Sequence, residues 1–247
     1  MKKSVILALV CMVVLASCNV EKVVNIGSGL KIKPSSTLVK KEYKQKEFDK
    51  LEVDVVANVK YIQSKDGDFR VVLSCPDNYV ELFKFEVSNR ELSVEFAREN
   101  VNIDAKNVDV TVYSPTLRRL DNRGVASVEA DKLVADELSV ENSGVGTLYL
   151  SGLAIGHLEA DCSGVGSIEL KGVADRAELD CSGVGSIKGD GLKAKSVKAD
   201  VSGVGGVRCY ASERIDGRVS GVGSLKYGGN PQEKQLKRDG VGGISEI

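Results

Sequence analysis

Ser163-Gly164-Val165-Gly166-Ser167 is one copy of a phrase that the second half of this chain repeats. Gly-Val-Gly begins at Gly144, Gly164, Gly183, Gly203, Gly221 and Gly240, and a degenerate Gly-Val-Ala begins at Gly124, so the spacings are 20, 20, 19, 20, 18 and 19 residues. A fixed period of this size marks a chain that stacks one small unit on the next.

The columns of the aligned copies have physical character. Past the first glycine, alternate positions read Gly166, Ile168, Leu170, then Gly146, Leu148, Leu150, then Gly205, Val207, Cys209; before it come Leu158, Ala160, Cys162, then Ala177, Leu179, Cys181, then Val197, Ala199, Val201. The positions between carry Glu159, Asp161, Ser163, Ser167 and Glu169. Period two with one apolar face is the signature of a half-buried strand. Such a strand cannot bury its face alone, so the expected solution is a coil of parallel rungs about 4.8 Å apart, an all-β parallel β-helix or β-solenoid with rungs of about 19–20 residues. A β-propeller would need about 40 residues per blade.

One column departs from this pattern. Valine fills it in every copy (Val125, Val145, Val165, Val184, Val204, Val222, Val241), yet alternation puts it in phase with serine and aspartate. Glycine inside a strand often marks a tight bend, which favours turning the valines into a corner of the core. The other placement is an external apolar stripe, with Val145, Val165, Val184, Val204 and Val222 as candidate interaction residues, since contiguous apolar surface usually has a partner.

Residues 1–17 carry Lys2 and Lys3, an apolar run from Val5 to Leu15, and small residues before Cys18. That is the form of a targeting signal, too short to span a bilayer. Leu15-Ala16-Ser17-Cys18 resembles the lipobox of bacterial lipoproteins, which implies a lipidated Cys18 and a membrane partner through that anchor. Asn19 after the cysteine points, by the same resemblance, to the outer membrane. Without residues 1–17 the chain carries 32 basic against 35 acidic residues, which argues against nucleic acid as a partner. Residues 18–41 are polar, with Gly27, Gly29, Pro34, Ser35 and Ser36, and read as a flexible tether whose lysines could lie near anionic head groups.

From about Tyr43 to Leu120 lie all five phenylalanines and one glycine, Gly67, yet alternation persists, as in Leu51-Glu52-Val53-Asp54-Val55. Residues 42–247 therefore read as one elongated domain of two textures: aromatic-rich strands over 42–120 and Gly-Val-Gly repeats over 121–247. Phe48-Asp49-Lys50-Leu51-Glu52-Val53, Phe69-Arg70-Val71, Glu91-Leu92-Ser93-Val94 and Val110-Thr111-Val112-Tyr113-Ser114-Pro115-Thr116-Leu117, followed by the ladder of Ser-Gly-Val-Gly-Ser, resemble the auto-transporter adhesin head GIN domain family over about residues 42–230. The resemblance implies a right-handed β-helix-like fold and an envelope protein of Bacteroides-like bacteria with an adhesin-type role.

Candidate chemistry is sparse. Asp161, Asp180 and Asp200 share a column with Asp121 and Glu141, so a solenoid would stack them into an acidic ladder, read as a solvated face or as a weak cation site of hard oxygen ligands. His157 is the single histidine and the repeat places no acid beside it, so no acid/base pair is visible. Cys162 and Cys181 share a column and could be bonded or stacked thiols. The Gly-x-Gly runs lack the helix that a phosphate loop needs. No catalytic residue, structural metal or cofactor is expected. The expected function is a non-catalytic adhesin-like or scaffolding lipoprotein that binds glycan or protein, with homo-oligomers allowed. The alternatives are a polysaccharide lyase or hydrolase and a purely structural envelope protein.

Overall fold

The period-two alternation of the repeats becomes long parallel strands stacked rung on rung. The structure, a computed structural model, describes residues 31–65 and 67–247; the expected signal segment 1–17 and Cys18 lie outside them. Strand makes up 69% and helix 3%, in a β-solenoid of about six turns. In the repeat region one strand forms most of each turn: Val145–Cys162, Val165–Cys181, Ser186–Val201 and Gly206–Val219. Equivalent residues pair directly, as Gly146 with Gly166, Leu148 with Ile168, and Ile168 with Ile187. Leu148, Ile168, Ile187, Val207 and Leu225 thus form one fully buried column. Each such residue contributes about 1.5–3 kcal/mol of burial, and the column continues only while the next rung repeats the residue type.

The Gly-Val-Gly corner is where the wall turns. A side chain at Gly164 or Gly166 would lie on the carbonyl oxygen of Gly144 or Gly146 in the preceding rung, well inside van der Waals contact. The backbone there pairs rung to rung, Val165 N–H donating to Gly144 C=O at 3.0 Å and Gly164 N–H to Asn142 C=O at 2.9 Å. Only glycine lets the chain bend this sharply while keeping these bonds. The bend turns valine outward, not into the core: Val165 is 55% exposed, Val184 57% and Val222 63%. The corner expectation is therefore overturned, because both glycine positions face the stack and leave valine the convex side.

The aromatic-rich half closes one end. Here spatial order departs from chain order: Lys50–Asp54 lies between Glu91–Phe96 and Arg119–Asn122, and Val56–Gln63 between Asp109–Ser114 and Val125–Asp131. The chain lays down one turn, builds beneath it, then returns above. Three strands finish this end in antiparallel fashion, Phe83–Ser88 on Glu91–Phe96, Arg70–Pro76 on Asp109–Ser114, and Leu38–Lys44 on Arg70–Pro76. Phe48, Phe69, Phe83, Phe85 and Phe96 fill the wider space, with ring centroids 5.3–6.5 Å apart within neighbouring pairs.

The tether expected to run to residue 41 is shorter than that. Leu38–Lys44 is a strand paired antiparallel with Arg70–Pro76, and Lys31–Ile32 pairs with Asn102–Ile103. The Tyr79 hydroxyl donates to Ile32 C=O at 2.7 Å, and Asn78 donates to Lys33 C=O at 2.9 Å. Val39 and Tyr43 pack on the core while the positions between them remain polar.

Gly166→Ala is expected to cost about 3 kcal/mol or more, or to prevent folding, because the new methyl meets rigid backbone. Val165→Ser, on the open side of the same corner, should change stability by less than about 0.5 kcal/mol. Urea unfolding of the two variants checks the contrast.

Candidate interaction surfaces

Three long features run along the stack, and each arises because one column repeats. The first is the valine ridge, in which Val145, Val165, Val184, Val204 and Val222 stand in line with Val125 and Val241. Its flanks are exposed serines such as Ser163, Ser182 and Ser202.

The second is the acidic ladder. Glu52, Asp121, Glu141, Asp161, Asp180 and Asp200 pair in register, and the column then changes sign at Arg218 and Lys237. At its aromatic-rich end, Arg119 reaches Glu141 at 2.6 Å and Arg123 reaches Asp121 at 2.8 Å, and Asp121 is buried beneath them. Farther along, Asp161, Asp180 and Asp200 form no ion pair among the described residues, and the partly withdrawn solvent together with Asp161 and Asp200 raises the Asp180 carboxyl above its ordinary value. Among the described residues no group of three or more His, Cys, Asp or Glu is placed to hold a metal ion. The ladder is thus an acidic strip, with its carboxylates held a rung apart.

The third feature is a groove of about 1240 Å³ that crosses five turns. Its floor is the buried column Ile155, Ala174 and Ala194, with Ala135 at one end, and the adjoining column exposes Val134 and Val173 and ends in Lys193 and Tyr210. Small floor residues let the wall sink inward, and the Lys193 ammonium sits 3.7 Å from the centre of the Tyr210 ring. Asp175 and Lys195 form an ion pair of 2.7 Å on one rim. The sequence did not reveal this groove. Register shifts between Leu150 and Leu153, Glu169 and Lys171, and Gly189 and Lys193 break the column alignment just before it. The recurring alanines Ala135, Ala174, Ala194 and Ala211 were the available signal.

His157 differs from its sequence reading. It sits in the column of Glu137 and Arg176, and its Nε2 lies 3.5 Å from Glu159 and 3.8 Å from Glu178, although it makes no hydrogen bond. The fold thus brings two carboxylates to the histidine, because neighbouring outward columns meet across rungs. Cys162 and Cys181 are in register, buried and unbonded, each thiol donating to a backbone carbonyl, Cys162 to Gly166 at 3.8 Å and Cys181 to Gly185 at 3.5 Å; the neighbouring Cys181 thiol, followed by burial, pushes Cys162 well above its ordinary value. Burial, with a smaller contribution from the Asp190 charge, pushes Cys209 up to about 12.

A family model described as "Putative auto-transporter adhesin, head GIN domain" matches residues 47–231. No curated protein matches the chain. The crystal structure of a "putative adhesin" from Bacteroides fragilis NCTC 9343 is 37% identical, with a TM-score of 0.84 over 87% of this chain and 100% of that one. A "putative adhesin" from Parabacteroides merdae ATCC 43184 has 23% identity and a TM-score of 0.66 over 88% of this chain and 99% of that one. A "Putative lipid binding protein" from Parabacteroides distasonis ATCC 8503 has 20% identity and a TM-score of 0.71 over 88% of this chain and 100% of that one. At these last two identities the likeness is one of fold.

The raised Asp180 pKa makes a signed prediction. The folded chain holds that proton more tightly than the unfolded chain, so the stabilising contribution is present below the ordinary carboxylate range and is lost as pH rises through the raised value. Asp180→Asn should therefore melt above the parent at pH 7, with the gap closing toward about pH 4. Circular-dichroism melts across that range test it. The buried thiols at Cys75, Cys162, Cys181 and Cys209 should resist alkylation in the native protein at neutral pH and react in denaturant.

Proposed function

The chain belongs to the auto-transporter adhesin head GIN domain family, and from that premise we propose that it is a non-catalytic, adhesin-like module of the cell envelope. In this reading it is attached to the outer membrane as a lipoprotein through Cys18 and binds an extended glycan or protein chain along its groove. The observation that carries the reading is the groove itself, five turns long, with an apolar floor of Ile155 and the small side chains Ala135, Ala174 and Ala194. A compact substrate would need a closed pocket with a few convergent polar groups. A groove of constant section suits a polymer that repeats along its own length. Binding spread over many weak contacts gains from every turn added to the stack.

The valine ridge is the alternative contact line, narrower than the groove and without its rim charges. A polysaccharide-active enzyme remains the rival reading, and His157 beside Glu159 and Glu178 is the observation in its favour. General acid/base work would need those groups to reach a bond in a bound chain.

Protease treatment of intact cells tests the placement: digestion that depends on Cys18, compared with Cys18→Ala, supports a surface-attached module, and protection until lysis moves the function to the periplasm. Glycan and matrix-protein arrays, read together with an assay for cleavage products, test the activity. Ala154→Trp and Val173→Trp, which fill the groove at exposed positions, should lower ligand binding at least about tenfold, whereas Val165→Ser and Val184→Ser should leave it within about twofold. The reverse pattern would transfer the contact to the ridge, and released products would replace the binding-only reading with the enzyme.

A further inference from the structure

Six lysines, Lys31, Lys33, Lys40, Lys41, Lys44 and Lys46, fall within sixteen residues whose one acid is Glu42, a net charge of +5. All six are exposed. The carboxylates nearest in sequence are already engaged, Glu42 with Arg70, and Glu47 and Asp49 with Arg90. The rest of the aromatic-rich end, residues 47–120, carries 10 basic against 14 acidic side chains, so that end as a whole is +1 with its surplus in the entry strand, whereas the repeats, residues 121–247, carry 15 basic against 19 acidic, a net charge of −4.

Topology gives this charge a place. The strand Leu38–Lys44 pairs along one edge with Arg70–Pro76. The sheet then runs through Asp109–Ser114 and Val56–Gln63 to Val125–Asp131 and the repeats. Leu38–Lys44 is therefore the outermost strand at the aromatic-rich pole, and its other edge is unpaired among the described residues. The hydrogen bonds from Tyr79 and Asn78 hold the entry segment at Ile32 and Lys33 against the same pole.

We propose that this basic pole docks on an anionic lipid bilayer, so that the solenoid stands on its aromatic-rich end with its axis directed away from the membrane. An unpaired lysine brought to an anionic surface strengthens binding about fivefold, and the effect falls off within a Debye length. The acidic repeats are repelled by the same surface, so the two charges together select the upright orientation over one lying flat. Attachment at Cys18 would not do this alone, since the thirteen residues from there to Lys31 could reach about 45 Å. The proposal adds to the lipoprotein reading and rests on charge, so the two stand or fall separately.

Lysines on a free edge strand also discourage strand addition between molecules, and the test must separate that role. Residues 18–247 carrying Cys18→Ala, so that neither the signal segment nor acylation can contribute, are sedimented with phosphatidylcholine vesicles with and without about 30% phosphatidylglycerol. Binding is expected to need the anionic lipid and to weaken in about 0.5 M salt. Replacing Lys40, Lys41, Lys44 and Lys46 together by Gln should lower it at least about tenfold with the melting temperature unchanged. The same charge change on the repeats, with Lys132, Lys188, Lys226 and Lys237 replaced by Gln, should leave binding within about twofold. Equal binding to neutral vesicles, equal losses in the two variants, or a pole variant that self-associates while still binding would each overturn the proposal. So would competition by inorganic phosphate beyond its ionic strength, which would identify a discrete phosphate site instead of a bilayer.

Discussion

Hydrogen bonding between equivalent residues of successive rungs is the constraint on which this molecule depends. Residues that share a column sit about 4.8 Å apart, so each column must hold a side chain that tolerates a copy of itself above and below. Aliphatic columns meet the condition easily. The glycines of the corner meet it because any larger residue would strike the carbonyl of the rung beneath. Asn122 and Asn142 meet it by bonding side chain to side chain at 2.9 Å inside the wall, and the same column continues as Cys162, Cys181, Val201 and Val219. The acidic column is the costly one, and it ends where Arg218 replaces the carboxylate.

The period and the alternation were legible in the chain because both are consequences of that constraint. A residue type recurring every 18–20 positions could be placed in a column without knowing the rest, and the alignment of Cys162 with Cys181 and of Asp161, Asp180 and Asp200 followed. What a column cannot say is which way it faces at a bend. Glycine-marked bends commonly turn the residue between them inward, and here the backbone contacts of the glycines, invisible in sequence, turn the valines outward. The groove was lost for a different reason: its columns follow register shifts, where a fixed offset from Gly-Val-Gly no longer names the same position. His157 gained its carboxylates across columns, and the entry strand was hidden by lysines, proline and serines that read as linker while Val39 and Tyr43 carried the pattern.

The three lengthwise features divide the surface by chemistry. The ridge is apolar and convex, the strip is acidic, and the groove is concave with small residues along its floor. The family's adhesin-like character fits such a molecule, since extended faces need no catalytic geometry to be useful. The single histidine with two nearby carboxylates is the one local cluster that departs from this economy.

The direction of the rung-to-rung bonds bears on mechanical load. They run along the axis, so a pull between the aromatic-rich pole and the last turn stretches them in series and does not shear a whole sheet at once. The strand Glu233–Arg238 is exposed along its entire length and is held by one neighbour, Gly206–Val219. Tension would peel that turn first and pass to the next, each release feeding out about 65 Å of chain for nineteen residues. Under force the stack behaves as a ratchet of small yields, which lengthens an attachment before it breaks.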